Sequence, residues 1–426
     1  MRRIRRVALI TLGLSGALAL AYVGFVRWAR LEPPPMPVAA RASGPSTGRL
    51  ERRGTIWELT LRGDAATLGS RHAELARDLM HAIDFDLDRS FRARIPNPAA
   101  RWLIFNLVRA RAHALPRFIP AERQRELAAE AQTYARSDPL ASTLPTYHRL
   151  LIYHALYDFA LGFEKSPLLG CSVFGVSGPS SQSGHLLIGR NFDLEQDRFD
   201  RDKVVLRVLE DGQIPYLSVA WAGMTGVVTG LSQAGIFVAV NGGRAGAPRS
   251  EGVPLPFILR AILQQARSID QAIEIAERMP VMVSHILFLG DGSTGEMAVL
   301  ERSPTEVTVR RQRPGTFYVT NHFLDAPLRD DPRNQDIQRS STTLARYMRL
   351  RELLPPSARP LDVAHAVAVL RDRNAAGGLA LARGDRRAID AGIATHSVVA
   401  DATARVLYVA EGPHTEGRYL AFTVLP

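Results

Sequence analysis

A chain of 426 residues with 46% hydrophobic and 22% charged residues can bury a large core, which excludes an extensively disordered protein. The formal net charge is +11, but lysine occurs only at Lys165 and Lys203, and the arginines are scattered through every segment without interleaved aromatics. That pattern excludes a nucleic-acid footprint and any of the motifs that go with one.

The one true basic cluster is MRRIRR at the N-terminus, followed by an uncharged apolar run from Val7 to Val26. Twenty residues at ~1.5 Å per residue span about 30 Å, the thickness of a bilayer's hydrocarbon core. Residues 1–30 are therefore expected to be a membrane anchor, with the heavier positive flank in the cytoplasm and the body outside it, periplasmic or extracellular. A cleaved signal peptide is the alternative, with ALALA at 17–21 offering small residues for the cut and a secreted body as the result. Residues 31–54, rich in Pro, Ala, Ser and Gly, read as a tether.

Beyond the tether, TIWELTLRG (55–63) alternates like a strand, and residues 64–91 have the period of an amphipathic helix. The helical pattern continues through AERQRELAAEAQTYARS and LPTYHRLLIYHALYDFAL to about residue 165. At Gly170 the texture changes to short β-rich runs separated by turn signals, with helices interposed near 255–278, 340–353 and 361–372. GDGSTG (290–295) reads as a plain hairpin turn. The division is a mainly helical segment over 55–170 and a β-rich domain over 171–426, an α+β pattern of sheets covered by helices.

The boundary falls on the Gly170–Cys171 bond, and Cys171 is the only cysteine. A single thiol in an exported protein has no partner in its own chain, and its bland reading is a small buried hydrophobe. If the bond before it is cut, however, Cys171 gains a free α-amine of pKa about 7.7–8.0, which can take the thiol proton near neutrality. A preceding glycine suits such a cut, because it adopts strained backbone geometry and leaves its carbonyl uncrowded.

GCSVFGVSG followed by LLIGRNFD resembles the nucleophile hairpin of the cysteine-type N-terminal nucleophile hydrolases, nearest the isopenicillin-N acyltransferase family and more distantly the choloylglycine hydrolases, penicillin V acylases and acid ceramidases. LSQAGIFVAVNGG (231–243) resembles the segment supplying an oxyanion donor, here Asn241. GTFYVTNHF (315–323) resembles one with a second polar asparagine, Asn321, and SSTTLARYMRL (340–350) one ending in a structural or catalytic arginine, Arg346. The resemblance implies a four-layer αββα sandwich with a helical prosegment, self-cleavage between Gly170 and Cys171, and amide hydrolysis or acyl transfer through an acyl-thioester on Cys171. The substrate it implies is a small N-acylated amide, with an acyl donor such as acyl-coenzyme A open. The roughly 170 residues ahead of the cysteine favour the self-processing branch over bile-salt or penicillin V specificity.

Arg190 beside the thiol would favour thiolate, and Asp193 would balance that charge and accept from the amine. Three residues apart on a strand, the two face opposite sides, so a turn is expected to bring both to the site. The plainer readings are a structural ion pair for these two, a turn signal in NGG for Asn241, and a surface helix position for Arg346. His322 and His396 read as structural hydrogen-bonders, and the sequence implies no cofactor and no metal. Two other functions stay open: a ceramidase-like lipid amidase or phospholipase B-like esterase at the membrane, and a non-catalytic envelope binding scaffold.

Overall fold

The computed structural model describes residues 2–35, 47–141, 143–162, 169–194, 197–355, 357 and 359–425; residues 36–46 of the expected tether lie outside them, as do the side chains of 2–12. Helix α1 (Arg2–Trp28) covers the N-terminal apolar run. Among the described residues no helix is long and apolar enough to cross a membrane. The C-terminal end of α1 rests on α4 (Pro98–Ala112) and the turn after it, through ring contacts of Tyr22 with Trp102 and Trp28 with His113.

Two sheets form the middle of the molecule. The larger has nine strands in the order β1-β2-β5-β6-β7-β8-β9-β10-β11, and the smaller has six, β12-β3-β4-β13-β14-β15. The first sheet comprises β1 (Gly48–Arg53), β2 (Ile56–Gly63), β5 (Lys203–Glu210), β6 (Tyr216–Trp221), β7 (Thr229–Ser232), β8 (Ile236–Gly242), β9 (His285–Asp291), β10 (Glu296–Arg302) and β11 (Val307–Gln312). The second comprises β3 (Leu169–Ser177), β4 (Leu187–Leu194), β12 (Gly315–Val319), β13 (Ala394–Asp401), β14 (Val406–Ala410) and β15 (Tyr419–Thr423).

The alternation of strand side chains assigns the layers. In β8, Phe237 and Ala239 pack between the sheets with Ile188, Val398 and Leu407, whereas Ile236, Val238 and Val240 face the other way. That outer face is covered by α2 (Ala65–Leu75), α3 (Arg77–Arg94), α5 (Ala121–Tyr134), α6 (Thr146–Gly162), α8 (Leu255–Gln265) and α9 (Ile269–Arg278). On the far side of the six-stranded sheet, α11 (Thr343–Leu353) and α12 (Val363–Leu370) cover Phe174, Leu187 and Val399. The architecture is therefore the four-layer αββα sandwich. The short α7 (Asp197–Arg201) and α10 (Pro332–Ser340) complete the helices.

The segment ahead of Cys171 is woven into this framework. Its β2 runs parallel to β5, from Trp57 opposite Val204 to Gly63 opposite Glu210. Behind the ladder, Arg260 of α8 donates to Glu126 of α5 and Glu210 of β5 at 2.9 Å each, and Arg123 of α5 bonds both carboxylates. A buried charge set of this kind holds only while every member is paired.

Several local expectations change. The helix read over 64–91 breaks at Ala76, whose φ of −102° and ψ of 17° let α2 turn onto α5 while α3 continues elsewhere. The helix read over 255–278 breaks at Ala266–Ser268, where Ser268 caps α9 by accepting the Gln271 N–H and Gln271 returns a bond to the Arg267 N–H. Strand β1 occupies the end of the expected tether, and β7, β11 and α10 were not legible as elements. GDGSTG does close the β9–β10 hairpin.

Gly69 sets the approach of α2 to α5, since a Cβ there would overlap the backbone carbonyl of Glu126. Gly69→Ala is expected to lower the unfolding free energy by about 1–3 kcal/mol in urea titration, despite the ~1 kcal/mol that alanine gains over glycine in a helix. A more stable variant would contradict that helix contact.

Candidate active site

Cys171 lies in the middle layers with its side chain fully buried. In the β3–β4 hairpin Gly170 stands opposite Asp193 and Cys171 opposite Phe192. The Cys171 N–H donates to Asn321 Oδ1 at 2.8 Å, and its carbonyl accepts from Arg346 Nη1 at 2.5 Å. Arg346 also donates to Ser172 Oγ (2.9 Å) and Asn321 Oδ1 (2.8 Å). Both backbone groups of Cys171 are thus fixed by buried side chains from the turn after β12 and from α11.

Strand parity divides the surroundings in two. Arg190 and Phe192 share the face of Cys171, and the Arg190 guanidinium crosses to the larger sheet, bonding the carbonyls of Val228 and Val240 and the Thr229 hydroxyl. Asp193 faces the other way with Gly170. A Cβ placed on Gly170 would lie 3.6 Å from Asp193 Oδ2 and 3.7 Å from Arg346 Nη2, so carboxylate and guanidinium flank the Gly170–Cys171 bond. The expected turn is absent: the strand stays regular, and the site straddles it.

Burial pushes the Cys171 thiol up, Arg190 opposes that, and Asp193 adds to it. Burial also raises Asp193 to about 7 against the pull of Arg346, and its Oδ1 has no hydrogen-bond partner among the described residues. Arg346 is 3% exposed, which removes the surface-helix reading of that residue. Asn241 ends β8, buried, with its amide donating to the Thr320 carbonyl at 2.9 Å, while Asn321 Nδ2 donates to the Gly242 carbonyl at 3.0 Å. Cys171, Arg190, Asp193, Asn321 and Arg346 are therefore contiguous, and Asn241 joins them through Thr320.

The two histidines act as framework. His396 Nε2 bonds the Thr229 hydroxyl at 2.7 Å, and His322 Nδ1 bonds that of Thr343 at 2.9 Å; burial holds both imidazoles below the usual range. Among the described residues no cluster of His, Cys, Asp or Glu has metal-binding geometry.

A cavity of about 240 Å³ opens beside Phe192, with walls from Ile83 and Leu87 of α3, Leu156 of α6, Trp221 and Met224. The Trp221–Thr225 wall is held from below by two imidazoles. His72 Nε2 accepts the Gly223 N–H at 3.0 Å and His154 Nε2 accepts the Thr225 N–H at 2.9 Å. Burial lowers these rings to about 3 and about 4, so both stay neutral acceptors. Nothing in the helical repeats that hold His72 and His154 marked this role, because a buried histidine in a helix looks like any other core position.

A carboxyl raised in the folded state binds its proton more tightly there than in the unfolded chain, so its contribution to stability is lost as pH rises from about 4 to about 7. In a Cys171→Ala background, Asp193→Asn is expected to gain stability over its parent across that interval by up to about 1.4 kcal/mol per pH unit, with no further change above about 8. A pH-independent difference in urea unfolding would contradict the buried, raised carboxyl.

The sequence profile of the acyl-coenzyme A:6-aminopenicillanic acid acyl-transferase family matches residues 180–412, beginning in the turn between β3 and β4, after Cys171. A curated relative, protein dcd1A of Dictyostelium discoideum, is 34% identical over 111 residues, 26% of this chain; the chain spans about a quarter (25%) of that relative's length. Similar solved structures include a Caenorhabditis elegans N-acylethanolamine-hydrolyzing acid amidase ortholog (17% identity, 55% of this chain, 93% of that one, TM-score 0.41). Others are a conjugated bile acid hydrolase variant from Clostridium perfringens (13%, 59% and 92%, 0.41) and penicillin V acylase from Agrobacterium tumefaciens (13%, 56% and 82%, 0.34). With the profile covering more than half of its length, the chain belongs to the acyl-coenzyme A:6-aminopenicillanic acid acyl-transferase family.

Proposed function

We propose that this protein cuts itself between Gly170 and Cys171 and then cleaves N-acylated amides through an acyl-thioester on Cys171. The observation that carries the reading is the placement of the Gly170–Cys171 bond: buried in a regular strand, held at Cys171 by Asn321 and Arg346, and flanked by the Asp193 carboxyl.

In the uncut chain the thiol sulfur attacks the Gly170 carbonyl carbon, the C–N bond breaks, and the nitrogen takes up the thiol proton. Water then hydrolyses the resulting ester of sulfur, leaving a Gly170 carboxylate and a free α-amine on Cys171. Asp193, poised near neutrality, can carry a proton between these groups. The cut changes the electrostatics of the nucleophile. A neutral amide becomes an amine that accepts the thiol proton, and the resulting ammonium, together with Arg190, stabilises the thiolate that burial alone disfavours. Asn321 Oδ1, which now accepts the amide N–H, is placed to accept from the amine and orient it.

In turnover the thiolate attacks the acyl carbon, the amine leaves with the proton held by the α-ammonium, and water or a second amine takes the acyl group. The apolar cavity beside Phe192 suits the acyl chain, and asparagine amides such as that of Asn241 suit the developing oxyanion without adding charge. The body belongs outside the cytoplasm, tethered by the apolar run at 7–26; MRRIRR ahead of twenty uncharged residues supports this placement.

Release of 4-nitroaniline from N-(4-nitrophenyl)alkanamides of graded length tests the reaction, with acyl-coenzyme A, ceramide and phospholipid as separate arms. Turnover of the amides, lowered at least ~10³-fold by Cys171→Ser, is expected. Activity confined to ceramide or phospholipid would instead favour the lipid amidase or esterase. Wild-type and Cys171→Ser proteins alike inactive in every arm would leave only a binding scaffold, and equal non-zero turnover would remove Cys171 as the nucleophile.

A further inference from the structure

Resting on that reading of Cys171, we propose that Tyr157, on the segment ahead of the cut, is a further catalytic residue whose hydroxyl donates a hydrogen bond to the substrate's carbonyl oxygen while the thioester forms. Three observations converge on it. The Tyr157 hydroxyl is buried and has no hydrogen-bond partner among the described residues, a state that costs about 1–3 kcal/mol unless something else supplies the acceptor. Its ring lines the apolar cavity and stacks on Phe192 with centroids 6.3 Å apart, and Phe192 is the strand partner of Cys171. The hydroxyl also lies near a second donor. A Cβ on Gly242 would lie 3.8 Å from Tyr157 Oη and 3.9 Å from Asn321 Nδ2, so phenol and amide approach one point beside a residue without a side chain.

Leu161 reaches the same point, with its Cδ2 2.8 Å from that Cβ position, near the end of α6. The rest of α6 is anchored in the core. Leu150, Leu151, Ala155 and Phe159 are core residues, and the Asp158 carboxylate accepts the Leu255 N–H at the start of α8. Burial, the neighbouring Cys171 and Asp158 push the phenol up, so it remains a protonated donor at any working pH.

The bonds balance without any proton leaving the phenol. Sulfur bonds the acyl carbon, the carbonyl π electrons move to oxygen, Tyr157 O–H stabilises that oxygen, and the oxygen returns its electrons as the C–N bond breaks. The departing amine takes its proton from the Cys171 ammonium. The segment ahead of the cut then supplies part of the catalytic machinery as well as a wall of the cavity.

The test compares Tyr157→Phe with wild type on the 4-nitrophenyl alkanamides, with iodoacetamide alkylation of Cys171 in parallel. A fall in kcat of about 10²-fold, with KM and the alkylation rate unchanged, is expected. An unchanged kcat, or equal losses in turnover and alkylation, would overturn the proposal, the latter because Tyr157 would then be acting on the thiol. Tyr157→His restores a donor and is expected to recover part of kcat; it also serves under the same criteria should Tyr157→Phe fail to fold. Wild-type protein that is cut at Cys171 yet hydrolyses no amide would overturn the reading of the reaction and this proposal with it, whereas normal wild-type turnover with an equally active Tyr157→Phe would sink the proposal alone.

Discussion

The structure depends on one constraint: a single peptide bond is held in a buried strand with charged side chains on both faces. The Cys171 N–H and C=O are fixed by Asn321 and Arg346, and Gly170 is backed by Asp193. Burying Arg190, Asp193 and Arg346 together is expensive, and it is sustained because each guanidinium finds several acceptors. The alternation of β4 sorts the charges. Arg190 goes to the face of the thiol and Asp193 to the face of Gly170.

The framework around that strand explains why the segment ahead of Cys171 belongs to the site. Strand β2 adds to the larger sheet through a parallel ladder with β5, and the Arg123–Glu126–Arg260–Glu210 set ties α5 to α8 behind it. Helices α3 and α6 wall the cavity, and His72 and His154 hold its floor through neutral ring nitrogens. A break at Gly170 would sever one covalent link and leave these contacts intact. The two pieces would then remain one body, with an open approach to a new N-terminus.

Much of this was legible in the sequence. The lone cysteine after a glycine, the change from helical to β texture at that bond, and the residues resembling the family hairpin drew attention to Cys171 and to side chains that the fold does bring around it. Period-two alternation predicted sheets covered by helices, although it did not reveal which strands pair. The unread parts have physical causes. Strand β7 is only four residues, TGLS, too short for a pattern; β1 is GRLERR, polar because it is an edge strand. The breaks at Ala76 and near Ser268 come from helix packing and capping that override periodicity. From its own helix Arg346 could as well be a surface residue, because its burial is created by strands far away in sequence; only the resemblance singled it out. Tyr157 and the two cavity histidines sit in ordinary amphipathic helices, where only tertiary contact distinguishes a site residue from a core one.

The central claim is that Cys171 becomes an N-terminus, and intact-mass measurement with N-terminal sequencing of the purified full chain tests it most directly. The account predicts two co-purifying pieces, one beginning at Cys171, and a Cys171→Ala protein that stays whole. A single uncut wild-type chain under native conditions would contradict it, since the α-amine that serves as base would never form.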